Sequence, residues 1–119
     1  MIFRSLTMTS AANKKSAISP ADIKQLEKHA QQAAVMLKQL GNVNRLMILC
    51  TLLNGERSVG ELHDMTNLSQ SALSQHLASL RNAQLVQTRR EAQTIFYSLL
   101  GTESIQIITV LKSIYCKGI

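Results

Sequence analysis

The sequence predicts a mainly α-helical chain with one β-hairpin, a winged helix-turn-helix that assembles as a homodimer. Three features predict it. Apolar residues recur at helical spacing through most of the chain. Two capped helices follow each other across the short turn Thr66-Asn67-Leu68, the spacing of a helix-turn-helix. Directly after them, "VQTRR" and "TIFYSL" are rich in β-branched and aromatic residues and read as the two strands of a wing.

Residues 1–18 are polar without an apolar period and are expected to be a disordered tail, in which Met8 offers an alternative start. The DNA-binding and dimerisation domain is then 19–119. Ser19 caps the first helix, Pro20 opens it and Asp22 lies in its first turn. Ile23, Leu26, Ala30, Ala33, Ala34, Leu37 and Leu40 give one continuous helix, stopped by Gly41-Asn42. A second helix spans 43–54, with Leu46, Leu49, Cys50 and Leu53 on one face. Ser58 and Glu61 form a capping box for a short third helix, whose apolar positions are Val59, Leu62 and Met65. Ser69 caps the fourth, with Leu73, Leu77 and Leu80 inward. "EAQ" is the hairpin tip.

The last helix, 102–117, starts at Thr102 as cap. Eight of the twelve residues 105–116 are apolar, more than one buried face requires. Ile107, Val110, Leu111, Ile114 and Tyr115 form its main arc, and Cys116 falls off it with Ile105, Thr109 and Lys112. A second buried face against another subunit, beside the long first helix, explains the surplus.

The length of 119 residues suits one domain. No apolar run is long enough to span a bilayer, and "MIFRSLTMTS" lacks a signal-peptide core. Two cysteines are too few for a secreted disulfide scaffold, so the expected location is the cytoplasm with thiols reduced. A net charge of +6 favours a polyanionic partner, although Arg4, Lys14 and Lys15 in the tail carry part of it. Two Phe, two Tyr and no Trp leave few stacking platforms for single strands, which points to double-stranded DNA. No nucleophile–base set, phosphate-binding glycine loop or metal centre appears, so neither an enzyme nor a cofactor is expected.

With Leu73 inward on a helical wheel, Ser71, Ser74, Gln75, Ala78 and Asn82 point outward. Gln can pair with adenine, Ser can donate or accept, and Ala can touch a thymine methyl. Gln70 flanks them at the helix start, where backbone N–H groups suit phosphate. A merely solvated face is the plain alternative; the adjacent hairpin favours DNA. Arg81, Arg89 and Arg90 are phosphate candidates or ordinary surface charges. Arg45 either contacts phosphate or forms an internal salt bridge, and His76 is expected to make a structural hydrogen bond.

"NRLMILCTLL", "SVGELHDMTNLSQSALSQHLASLRNAQLV" and "RREAQTIFYSL" resemble the ArsR/SmtB family of dimeric winged-helix repressors over residues 35–117. The resemblance implies DNA contacts from Gln70, Ser71, Ser74 and Gln75 on a palindromic operator. Many members of that family sense metals through a cysteine pair in the third helix or through carboxylate and histidine ligands on the last. Here the third helix has no Cys and the last has Glu103 but no His. His29, His63 with Asp64, and His76 lie far apart in sequence, so no metal site of a known type is expected.

Cys50 and Cys116 remain. Isolated cysteines are commonly small buried hydrophobes. Against that, Cys116 lies off the apolar arc, and Lys112 and Lys117 would favour its thiolate, while the helix C-terminus opposes it. Cysteines in the second and last helices, together with the "REAQT-FY" wing, resemble the persulfide-responsive BigR/SqrR branch, and HlyU-type virulence regulators are similar. The resemblance implies that reactive sulfur species bridge Cys50 and Cys116 and release DNA. A regulator that displaces a silencing protein and senses nothing is the alternative, as is a metal-responsive repressor with an unfamiliar site.

Overall fold

The computed structural model describes residues 17–116. The expected tail lies outside them except for Ala17 and Ile18, as does Lys117. The chain divides into two compact units, one ending at Ala33 and one beginning at Ala34.

In the first unit, Ser19 Oγ accepts from the Asp22 N–H at 3.1 Å, and Asp22 Oδ2 accepts from the Ser19 N–H at 3.3 Å. This reciprocal cap opens α1 (Pro20–Lys28). The expected single helix to Leu40 is interrupted at His29, where φ −118° and ψ 11° leave the helical region, and α2 (Ala30–Leu40) follows. The His29 N–H turns back to the Leu26 carbonyl, and its Nδ1 lies 3.0 Å from Gln32 Oε1. Ile23 and Leu26 are exposed, so no packing of those side chains holds the helix straight through His29.

The second unit carries the core. Asn42 caps α3 (Val43–Leu52) by accepting from the Arg45 N–H at 3.1 Å. Ile48, Leu49 and Leu52 are its buried residues, whereas Leu46 and Cys50 are half-buried and Leu53 is exposed. The buried stripe is therefore rotated from the expected one. Beyond Gly55 come β1 (Arg57–Ser58), α4 (Val59–Met65), α5 (Gln70–Asn82), β2 (Val86–Glu91), β3 (Thr94–Leu99) and α6 (Glu103–Tyr115). The sheet order is β1-β3-β2, antiparallel throughout. β1 is a two-residue addition to the expected hairpin, too short to show alternation in sequence.

Leu62 from α4 and Leu73, Leu77 and Leu80 from α5 pack with the α3 residues, Leu85, Val86 and Ile108 into one cluster. Met65, expected to be inward, is exposed. The capping box at Ser58 forms as expected, with Glu61 N–H to Ser58 Oγ at 3.0 Å and Ser58 N–H to Glu61 Oε1 at 2.9 Å. The wing tip is narrower than "EAQ". Glu91 still pairs with Thr94, leaving Ala92-Gln93 as the turn, with Ala92 at φ 55°.

Two details of α6 differ from expectation. Thr102 makes no side-chain cap; its N–H donates to Glu103 Oε1 at 2.8 Å. The buried residues are Ser104 and Ile108, flanked by half-buried Ile107 and Leu111. The expected arc omitted Ile108 and included Val110, Ile114 and Tyr115, which are 55%, 51% and 79% exposed. The helix thus covers its own core with one side and leaves an apolar row uncovered on another.

Candidate DNA-reading face and cysteine pair

Ser69 Oγ accepts from the Ala72 N–H at 3.1 Å and fixes the start of α5. Leu73, Leu77 and Leu80 anchor the helix in the core. Helical geometry then turns Gln70, Ser71, Ser74, Gln75, Ala78 and Asn82 out, and all six are exposed. The face contains short hydroxyl and amide side chains and a methyl, suited to approach base edges closely. Gln39, which sequence pattern did not single out, supports the helix from behind. It is buried, and its Oε1 accepts from Ser79 Oγ at 3.0 Å.

The three arginines separate. Arg81 and Arg90 are exposed and form no ion pair among the described residues. Arg89 is occupied. Its guanidinium meets both Glu56 oxygens at 2.8 Å and Glu91 Oε2 at 2.7 Å, and it lies 4.4 Å from the centroid of the Phe96 ring. The two carboxylates hold its pKa above the ordinary guanidinium value, first through the Glu56 hydrogen bonds. Arg89 is thus engaged by two carboxylates in this structure, unlike Arg81 and Arg90.

Arg45 forms no salt bridge among the described residues. Its Nε and Nη2 donate to the carbonyls of Gln39 and Lys38 at 3.1 Å each, closing the end of α2. His76 is half-buried and makes no hydrogen bond among the described residues, contrary to expectation. No group of three or more His, Cys, Asp or Glu side chains among the described residues is placed to hold a metal ion.

Cys50 sits half-buried against the core on α3, and Cys116 is exposed at the end of α6, its N–H bonded to the Lys112 carbonyl at 2.8 Å. Both thiols are free. Burial pushes the Cys50 thiol pKa up, and Cys116 adds to the rise.

No described helix is long and apolar enough to cross a membrane. Residues 42–88, from the cap of α3 into β2, match the family described as "Bacterial regulatory protein, arsR family". The "Transcriptional activator HlyU" of Vibrio cholerae is 52% identical over 100 residues, which cover 84% of this chain and 93% of that protein. The "Biofilm growth-associated repressor" of Agrobacterium fabrum is 46% identical over 91 residues, covering 76% and 78% respectively. The solved structure of HlyU from Vibrio cholerae superposes with a TM-score of 0.72 at 55% identity, covering 76% of this chain and 99% of that one. With its helix-turn-helix, its wing and relatives that span nearly its whole described length, the chain belongs to the arsR family of bacterial regulatory proteins and is a transcriptional regulator, not an enzyme.

Proposed function

We propose that this protein is a homodimeric repressor that binds a palindromic operator and is released when reactive sulfur species bridge Cys50 and Cys116. The observation that carries the sensing part is the pair itself: an exposed free thiol at the C-terminal end of α6 and a half-buried free thiol on α3. DNA reading rests on the outward face of α5, with Gln70, Ser71, Ser74 and Gln75 toward bases or backbone and Arg81 and Arg90 toward phosphate. The domain that does this is 19–119. Two recognition helices in successive major grooves lie about 34 Å apart, which makes the operator palindromic.

Dimerisation is supported by the uncovered apolar row Val110, Ile114 and Tyr115 on α6 and by exposed Val35 and Leu37 on α2. A second copy covers such surfaces in a symmetric pair.

The sulfur chemistry balances without a further oxidant. The Cys116 thiolate takes the outer sulfur of a persulfide RSSH and releases RS⁻. The Cys50 thiolate then attacks the Cys116 sulfur and expels HS⁻, giving a disulfide; the persulfide is the electron acceptor. A second RSSH that first converts Cys50 to its own persulfide, releasing RS⁻, gives a longer bridge: the Cys116 persulfide anion attacks the inner sulfur of that group, expels HS⁻ and leaves a trisulfide. Either product ties α6 to α3. Because α6 also lies at the proposed dimer interface, the tie shifts the spacing of the recognition helices. A coupling of ~1–3 kcal/mol weakens binding roughly 5- to 150-fold.

The test treats reduced protein with a persulfide donor and measures operator affinity beside a Cys116→Ser variant. The wild type loses affinity and the variant keeps it; equal loss in both removes sensing by this pair. A second reading is favoured by one observation, that the Vibrio cholerae relative is named an activator. On that reading the protein displaces a silencing protein and its thiols are idle. Intact mass after persulfide treatment separates the two, since only sensing yields an intramolecular bridge.

A further inference from the structure

We propose that Gln39 is a positioning residue for sequence discrimination: through Ser79 it fixes the roll of α5 about its own axis, and with it the aim of the proposed base-reading side chains, while itself staying off the DNA. This rests on the DNA-binding reading above and goes beyond it by naming what holds the helix at one angle.

Leu73, Leu77 and Leu80 seat α5 on the core. They lie at i, i+4 and i+7, a single stripe along one side of the helix. Apolar contact is non-directional, so such a stripe fixes the depth of a helix far better than its roll. Roll decides what the helix presents. Side-chain tips stand ~5–6 Å from a helix axis, so a roll of about 20° carries a tip sideways by roughly 2 Å, several times the width of the hydrogen-bond distance range.

The bond from Ser79 to Gln39 supplies the missing direction. Among the described residues it is the one side-chain hydrogen bond that joins α5 to another helix or strand. Ser79 Oγ donates to Gln39 Oε1 at 3.0 Å, and such bonds weaken steeply when misaligned. Ser79 lies off the leucine stripe and one turn beyond Gln75 on the same flank. A roll that moves Gln75 therefore strains this bond as well. Helical hydroxyls commonly turn back to the carbonyl four residues earlier, as Thr51 does to Met47 and Thr109 to Ile105. Ser79 reaches out to α2 instead. Its acceptor is itself held: Gln39 is 8% exposed, and its own backbone carbonyl accepts from Arg45 Nε, with Arg45 Nη2 on the Lys38 carbonyl beside it. α3 thereby fixes the last turn of α2, and that turn fixes α5.

The ratio of specific to non-specific affinity reads this role. The full chain enriches a duplex from a randomised library, and that duplex and an unrelated one of equal length are titrated with each variant. Neither Gln39 nor Ser79 carries a charge, so contacts to phosphate, and with them affinity for the unrelated duplex, persist. Ser79→Ala and Gln39→Met are each expected to lower the ratio of the two affinities roughly 5-fold or more, from the lower end of what one base contact is worth upward. A fraction of unfolded chain lowers both affinities by one factor and leaves the ratio alone. The double variant Gln39→Met/Ser79→Ala separates positioning from stability. It removes the buried oxygen along with its donor, so its unfolding midpoint recovers toward the wild type. The tether is still absent, and the ratio stays low. A ratio that holds in either single variant, or that returns in the double variant, would overturn the proposal and leave Gln39 a purely structural residue. Failure of the DNA-binding reading looks different: the wild-type chain itself then enriches no duplex.

Discussion

Ser79 on α5 donates to Gln39 Oε1 on α2 across 3.0 Å, and Gln39 is buried. The bond ties the helix that presents the reading face to one that lies forty residues earlier in the chain. Ser79→Ala leaves the buried amide oxygen without its donor. It is expected to cost ~1–3 kcal/mol of unfolding free energy. Urea denaturation measures it, and an unchanged midpoint would show that water or a neighbouring donor replaces the hydroxyl.

The cysteines are expected to differ in reactivity. Cys116 is exposed, whereas burial and the neighbouring thiol push the Cys50 pKa above the ordinary value of 9.0. Near neutral pH an alkylating agent labels Cys116 first, and Cys50 labelling continues to accelerate beyond the pH at which an ordinary thiol levels off. A raised folded-state pKa favours the protonated thiol in the native chain. Its stabilising contribution is present below the unfolded value and is lost as pH rises through the folded one. Site-resolved mass spectrometry against pH follows the labelling; equal rates for both sites would contradict the burial argument.

Glu61 titrates in the opposite sense. The Ser58 N–H bonded to its carboxylate is the main reason its pKa lies below the ordinary carboxylate value, with Arg57 adding a weak contribution. Its contribution to stability is therefore present above the unfolded pKa and is lost as pH falls through the folded one. Glu61→Gln is expected to flatten the acid limb of the stability profile, with little change in the alkaline limb. Thermal midpoints across pH for both proteins provide the check. Ser58→Ala, which removes the cap hydroxyl itself, is expected to cost ~1 kcal/mol near neutral pH and less in acid, because that hydroxyl also helps to lower the Glu61 pKa.

Local signals carried much of this fold. Ser19, Ser58 and Ser69 each cap the helix that their short-range pattern announces, because a cap is decided by three or four consecutive residues. The inward leucines of α5 were legible for a similar reason: a polar face and an apolar face alternate cleanly there. α3 and α6 were harder. Both are apolar nearly all round, so periodicity did not say which of Ile48 or Leu46, Ile108 or Val110, turns inward; the neighbouring elements decide that. The Arg89 brace was hidden because Glu56 reaches it across the sheet, thirty-three residues away in sequence. Arg45 was hidden likewise, its partners being backbone carbonyls that carry no residue code. The outward positions of α5 were found residue by residue, with Gln39 behind the helix missed.

Ser71, Ser74 and Ala78 give their part of the proposed reading face almost no adjustable length. A long arginine can swing to follow a displaced base; a serine hydroxyl or an alanine methyl goes only where its helix carries it. Tolerance for misplacement on this face is consequently small, and discrimination between sequences is coupled tightly to the position of α5 as a rigid body. A regulator built this way has no need of a large structural rearrangement to let go. On the proposed DNA reading, a small rigid-body shift of α5 is expected to carry these short side chains away from the base edges they would meet.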